Sequence, residues 1–296
     1  MSIASIKDSL RAYFVPRKKL LIFNYHQVSE TFDPSKHIKG IWTQMDYFKE
    51  QINYLKINYD IVRLSDGLVD LNANGLKSTK VVLTFDDGDK SILDGVIPFL
   101  ESENIPASFF INSAYFDSNE ACWTDTPLYL SVLEDSSTLL DKTVFLRNTT
   151  SKEQYSAEAS FLENNINSLV ERYNRYLDMS SLKKLNQELF TIGLHGHEHQ
   201  RFCHYDYEWQ LSNLQKNIDA ISGLNNYIPV FAIPFGKKLD WDKNTLKACR
   251  ELNLTPLYAN GGYNTCANPI GHRIPADARD VKTIIKHLSP FISNYN

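Results

Sequence analysis

Val81-Val82-Leu83-Thr84-Phe85-Asp86-Asp87-Gly88 carries an apolar run straight into two adjacent carboxylates and a glycine. A short apolar run closed by glycine reads as a buried strand that ends abruptly. Buried strands rarely carry charge unless it is paired or bound to metal. Two acids at the tip of such a strand therefore point to a site at the carboxyl end of a sheet, where α/β folds keep their chemistry. Asp-Asp-Gly is also ordinary turn chemistry, and this stretch alone leaves both readings open.

The flanking pattern places the strand in a series. Residues 20–23 form an apolar strand that runs into Asn24-Tyr25-His26. Met45, Phe48, Ile52 and Leu55 recur at helical spacing behind Thr43, which is expected to cap them. A short strand follows at 61–64, then a helix opened by Ser65-Asp66. After Gly88 the pattern predicts a helix over 92–100, interrupted by Pro98, and a strand over 105–111. Strands alternating with helices in this way imply βαβ units and a parallel sheet. Later strands are expected at 190–194, 230–233 and 257–259, with helices opened by Ser180-Ser181 and by Asp240 or Asp242. Terminal helices are expected over 5–14 and 281–291. Residues 113–179 break the rhythm and read as a mostly helical insertion, which either lines the substrate cleft or only braces the fold.

The bulk numbers narrow the class. The chain has 296 residues, enough for one large α/β barrel or two small domains, and 43% hydrophobic residues can bury a substantial core. A net charge of −4 gives no nucleic-acid footprint. No run approaches the length of a membrane span, and the first residues lack the apolar core of a secretory signal. The four cysteines have no CxxC spacing, so they are expected as reduced thiols and the protein as cytoplasmic.

The residues that favour a site lie a hundred positions downstream. His195-Gly196-His197-Glu198-His199 puts three of the eight histidines into five residues at a strand end. Imidazoles with a carboxylate suit Zn²⁺ or a similar divalent ion. An extended backbone would face all three histidines one way. A turn, which Gly196 favours, would bring His195 and His199 together and leave His197 out. A carboxylate as third ligand leaves positions open for water and substrate. His26, at another strand end, fits either a site residue or a hydrogen-bonded core histidine.

Thr84-Phe85-Asp86-Asp87-Gly88 with His195-x-x-x-His199 resembles the polysaccharide deacetylase family, the NodB-homology group of carbohydrate esterases (family 4-like). Tyr25-His26-x-Val28, Ile105-Pro106-Ala107-x-Phe109-Phe110 and Phe231-Ala232-Ile233-Pro234-Phe235-Gly236 match its other framing segments. The resemblance spans roughly residues 20 to 280. It implies an irregular (β/α)-barrel, distorted and TIM-like with about seven strands, as a single domain over 1–296 with the insertion at about 113–179. It implies one divalent metal, Zn²⁺ first and Co²⁺, Ni²⁺ or Mn²⁺ as alternatives, held by Asp87, His195 and His199. Asp86 becomes the general base, and the backbone at Pro234 and Phe235 the oxyanion and substrate contact.

Two departures from the family pattern shape the expectations. An Arg that orients the base is often found where Ala232 stands, so Arg273 is expected to replace it from a neighbouring strand end. The late leucine-x-histidine that supplies the general acid is not evident, so His26 is expected to protonate the leaving amine, with His272 as the weaker choice. Asp240-Trp241 looks like another family motif but reads better as a helix start. The activity implied is metal-dependent removal of an N-acetyl or similar acyl group from a sugar or glycan precursor, nucleotide- or lipid-linked or free. The alternatives are a degenerate glycan-binding member and an esterase or amidase acting on another substrate.

Overall fold

The computed structural model describes residues 18–73, 76–116, 122–130, 136–149, 151–169, 175–266, 271–277 and 279–285. The helix expected over 5–14 and the end of the one expected over 281–291 lie outside them. The strands are β1 (Leu20–Tyr25), β2 (Gln27–Ser29), β3 (Trp42–Gln44), β4 (Asp60–Ile61), β5 (Lys80–Phe85), β6 (Ala107–Ile111), β7 (Phe190–Leu194), β8 (Tyr227–Ala232), β9 (Thr255–Tyr258) and β10 (Gly271–Pro275). The helices are α1 (Met45–Asn58), α2 (Leu64–Ala73), α3 (Val96–Ser102), α4 (Thr126–Tyr129), α5 (Ser136–Asn148), α6 (Lys152–Ile166), α7 (Met179–Lys184), α8 (Tyr207–Ile221) and α9 (Lys243–Glu251).

Seven parallel strands close on themselves in the order β1-β5-β6-β7-β8-β9-β10, with β10 pairing back onto β1. This is the irregular (β/α)-barrel expected. The irregularity is local: β4 and β6 share one edge of β5 at different heights, and the β7–β8 register shifts between Ile192 and Leu194.

Alternate residues of a strand share a face, and that rule builds the site. Leu20, Ile22, Val82, Phe110, Val230, Ala232 and Leu257 point inward and pack on Leu64 and Leu71 of α2. One step further along the same inward rows stand Asn24, Thr84, Asp86 and Asn112, all buried. The barrel thus has an apolar floor and a polar upper end. The other face of each strand (Phe23 and Tyr25, Leu83 and Phe85, Phe109) packs under α1, α3 and α8 in a second apolar layer.

Some helix starts differ from expectation. Thr43 lies in β3, and α1 begins after Gln44 with no side-chain cap. Pro98 does not interrupt α3 but sits in its first turn, where a missing N–H leaves no intrahelical bond unmade. Asp178, not Ser180 or Ser181, caps α7 by accepting from the Ser181 N–H, and Asp242 caps α9 with a capping box to Thr245. The segment between β6 and β7 is helical as expected and has its own aromatic core, with Trp123, Tyr155 and Tyr176 in it.

Candidate active site

The stretch that opens the sequence argument divides at the end of β5. The Asp86 N–H still donates to Tyr25 O (2.9 Å), so Asp86 stays in the sheet and its side chain faces the barrel interior. The next two residues are left-handed, Asp87 at φ 69° and Gly88 at φ 73°. That conformation suits glycine and is tolerated by aspartate. It swings the second carboxylate out of the strand row toward β7.

His195 follows β7 directly, with its N–H on Ile111 O (3.1 Å). Its Nδ1 lies 2.7 Å from Ala232 O. A carbonyl only accepts, so Nδ1 carries a proton, and in the neutral ring the lone pair is then on Nε2. The chain then turns at Gly196 and His199, and the His195 and His199 rings come within 4.9 Å between centroids. His197 is turned away: its Nδ1 lies 2.9 Å from Ser113 Oγ, and its N–H donates to Asn213.

Both inward-turned imidazoles face one carboxylate oxygen. Asp87 Oδ1 stands 3.3 Å from His195 Nε2 and 3.4 Å from His199 Nε2. Buried Asp87 Oδ1 and His195 Nε2 have no hydrogen-bond partner among the described residues. Orphaned buried polar atoms call for an occupant, and these form a His₂-carboxylate set with one donor atom from each residue within 4.8 Å of the others. Burial, aided by His195 and Arg175 against Asp87, pushes His199 down to about 3, which favours the neutral ring with its free lone pair. Burial opposes ionisation of Asp87, but His199, Arg175 and His195 overcome it and hold the carboxyl well below its usual range. The donor set fits a divalent metal of the zinc type.

Asp86 lies beside this group and is held differently. Its Oδ1 accepts from Arg273 Nη1 at 2.7 Å, and the same nitrogen reaches Asn24 Oδ1 at 2.9 Å. Arg273 is fully buried on β10, level with Ile22. Its neighbour His272 faces the other way and bonds Asn260, outside the site. Asp86 Oδ2 faces His195 Nε2 at 3.9 Å and His26 Nε2 at 4.0 Å. Burial works against the ionised form of Asp86, but Arg273, then His195 and His26, more than offset it and lower the pKa.

His26 directly follows β1 and is clamped by Asp277: backbone N–H to Oδ1 at 2.9 Å and ring Nδ1 to Oδ2 at 2.7 Å. Burial would favour a neutral ring, but the Asp277 charge and hydrogen bond prevail and raise it to about 9. Phe235 follows the Pro234 turn at φ 59° and lies 4.9 Å from the His199 ring. Pro234 has no N–H, and the Phe235 N–H meets no backbone acceptor among the described residues. Gly236 is required next to it, because a Cβ there would come within 2.5 Å of the Ala259 N.

Sequence reasoning missed two participants. Asp277 carried a usable signal, since it lies two residues past the strand that holds Arg273. Arg175 carried none. It enters from the segment between β6 and β7 and bonds three carboxylates, each at 2.6 Å: Asp87 through Nη2, Asp89 through Nε and Asp125 through Nη1. Tyr176 Oη donates to Asp125, and the Leu177 N–H donates to Gly88 O. The segment therefore touches the acidic turn itself.

A profile of the family described as polysaccharide deacetylase matches residues 73–257, and the chain belongs to that family. No curated protein matches the sequence. Among solved structures, the chain is similar to the Streptococcus pyogenes deacetylase PplD in complex with acetate, at 16% identity over 92% of this chain and 98% of that one (TM-score 0.63). A de-N-acetylase from Aggregatibacter actinomycetemcomitans gives 15% identity, 92% and 100% coverage and a TM-score of 0.61. IcaB from Ammonifex degensii gives 14% identity, 91% and 97% coverage and a TM-score of 0.60. These likenesses show the fold, and the family supports a carbohydrate deacetylase. No described helix is long and apolar enough to cross a membrane.

Proposed function

We propose that the protein is a metal-dependent deacetylase that hydrolyses the amide of an N-acylated sugar, free or carried on a nucleotide or lipid. The observation that carries this reading is the split of two adjacent carboxylates: Asp86 on Arg273, Asp87 on two histidines. Asp87, His195 and His199 would hold one divalent ion, Zn²⁺ before Co²⁺, Ni²⁺ or Mn²⁺. Such an ion, when bound, supplies acidification of a water and polarisation of the acyl carbonyl.

The chain's own residues do the rest. Asp86, kept ionised by Arg273, accepts the proton of the attacking water through Oδ2. The water oxygen bonds to the acyl carbon, and the Phe235 N–H donates to the oxyanion that forms. His26, kept protonated by Asp277, gives its proton to the amide nitrogen as the C–N bond breaks. Acetate and a free amino sugar leave. Residues 113–179 belong to the same domain in this reading, because Arg175 binds the metal-holding aspartate.

Acetate release from a panel of N-acetylated hexosamines, with and without chelator, tests the proposal. Release that chelator abolishes and added metal restores is expected. Activity confined to esters or non-sugar amides, or glycan binding with no hydrolysis, would overturn it.

A further inference from the structure

The chain as a whole is acidic, with a net charge of −4, yet the cleft over the site is not. The cleft has a volume of about 730 Å³, and His26, Asp87, His199 and Phe235 lie along it. Its two acids are both answered: Asp87 is bound by Arg175 and Asp240 by Arg201. Lys39, Arg147, Lys237 and Lys238 also line it. None of the four has an ion pair among the described residues, and all are exposed. They come from three separate segments: the loop before β3, the end of α5, and the turn after β8.

This rim is built rather than incidental. Buried Arg201 donates to Leu146 O (3.2 Å) and Thr149 O (3.0 Å) at the end of α5, and through Nε to Asp240 Oδ1 (2.9 Å). Asp240 Oδ2 in turn accepts from the Lys237 N–H at 2.7 Å, closing the 237–240 turn. One buried guanidinium thus fastens the backbone beneath Arg147 to the backbone beneath Lys237 and Lys238. Converging, unpaired cations in a cleft concentrate anions and bind phosphate by charge-assisted hydrogen bonds. Exposed apolar side chains stand on the surface next to these cations. Leu239, next to the lysines, is 69% exposed. Leu140 (44% exposed) and Val144 (52%) lie at i−7 and i−3 from Arg147, on one stripe of α5.

We propose that the substrate of this cleft is an N-acylated sugar joined through phosphate to a lipid carrier. The sugar enters toward Asp86, the phosphate meets Lys39, Arg147, Lys237 and Lys238, and the chain leaves over Leu239 and the α5 stripe. This rests on the deacetylase reading above and names the substrate class for the same site.

The metal-loaded wild type is assayed for acetate release from three N-acetylglucosamine compounds: the farnesyl diphosphate conjugate, the uridine diphosphate conjugate and a neutral oligomer. The farnesyl compound is expected to have the highest kcat/KM, with an advantage over the neutral oligomer of about tenfold or more. In Arg147→Gln/Lys237→Gln/Lys238→Gln that ratio should collapse toward one. Leu239→Ser/Val144→Ser should raise KM for the farnesyl compound with kcat retained. Equal or faster turnover of the neutral oligomer would overturn the phosphate subsite, and preference for the uridine compound would overturn the lipid carrier. If no compound releases acetate, the deacetylase reading fails separately. The rim is then judged by calorimetry with geranyl phosphate and geraniol as probes: tighter binding of the phosphate, lost in the triple variant, supports it, and equal binding overturns it.

Discussion

Arg175 Nη2 and Asp87 Oδ2 meet at 2.6 Å, so one oxygen of the aspartate is tied to the helical segment and only Oδ1 is left to face His195 and His199. The same guanidinium also pairs with buried Asp89 and Asp125. Removing one partner of a buried ion pair strands the other charge, at a cost of about 3–5 kcal/mol. Arg175→Met should therefore lower the melting temperature markedly. Arg175→Lys, with the charge but a poorer fit to three acceptors, should recover part of the loss. Unchanged thermal unfolding in Arg175→Met would show that the cluster does not stabilise the fold.

Arg273 holds the other aspartate. With Arg273→Ala, the largest influence that lowers Asp86 is gone, and burial pushes its pKa up. The acid limb of the kcat/KM profile should then move to higher pH, and turnover should fall about 10²-fold or more as the base loses its orientation. Metal content, measured by elemental analysis, should stay the same, because Arg273 touches none of the three ligands. Wild-type turnover in this variant would remove Arg273 from the mechanism.

In the proposed mechanism His26 sets the alkaline side. Its folded pKa of about 9 lies above the ordinary value of 6.5. As the proton donor it is active below that pKa and lost above it, so kcat/KM should decline as pH rises through it. A bound cation nearby lowers the midpoint. Asp277→Asn removes the charge that raises His26 and should shift this limb to lower pH. His26→Gln should cut kcat by about 10²–10⁴-fold and abolish the limb. The raised His26 also stabilises the fold, fully below about pH 6.5 while Asp277 stays ionised, and that contribution fades as pH rises through the folded pKa.

Chelation should abolish activity, and Zn²⁺ should restore it. Asp87→Asn and His199→Ala should each bind the metal more weakly in a competition titration, whereas His197→Ala should bind it as the wild type does, since His197 is turned to Ser113. Equal affinity in all three variants would displace the metal from these residues.

Gly236→Ala offers a purely steric test. Its Cβ would be forced within 2.5 Å of the Ala259 backbone at a positive φ. Unfolding stability should drop, and the Phe235 N–H should shift with the turn, lowering kcat even in the fraction that folds. Stability and kcat equal to the wild type would show that the turn yields without cost.

Much of this protein is legible in its residues. Short apolar runs and strand–helix alternation specify the parallel sheet, and two short motifs specify which strand ends carry charge. The Gly196 turn foretells that His195 and His199 meet without His197. Arg273, too, could be nominated, through the family resemblance, because Ala232 stands where the family often has an Arg and Arg273 lies at a neighbouring strand end. These signals are local, written in spacing and in residue type.

What only the tertiary structure decides is which distant charges share a low-dielectric interior. Arg175 and Asp87 are 88 residues apart, and His26 and Asp277 are 251 apart. Nothing near Arg175 marks its pair, and the place of Asp277 just past β10 does not say that it meets His26, because their affinity comes from burial that exists only once the barrel has closed. The same holds for the cleft rim, where Arg201 brings α5 and the 237–240 turn together. Asp86 and Asp87 are recognisable from the strand they end. What each carboxylate faces, Arg273 on one side and Arg175 on the other, is settled by closure of the sheet and by a segment that sequence periodicity leaves unplaced.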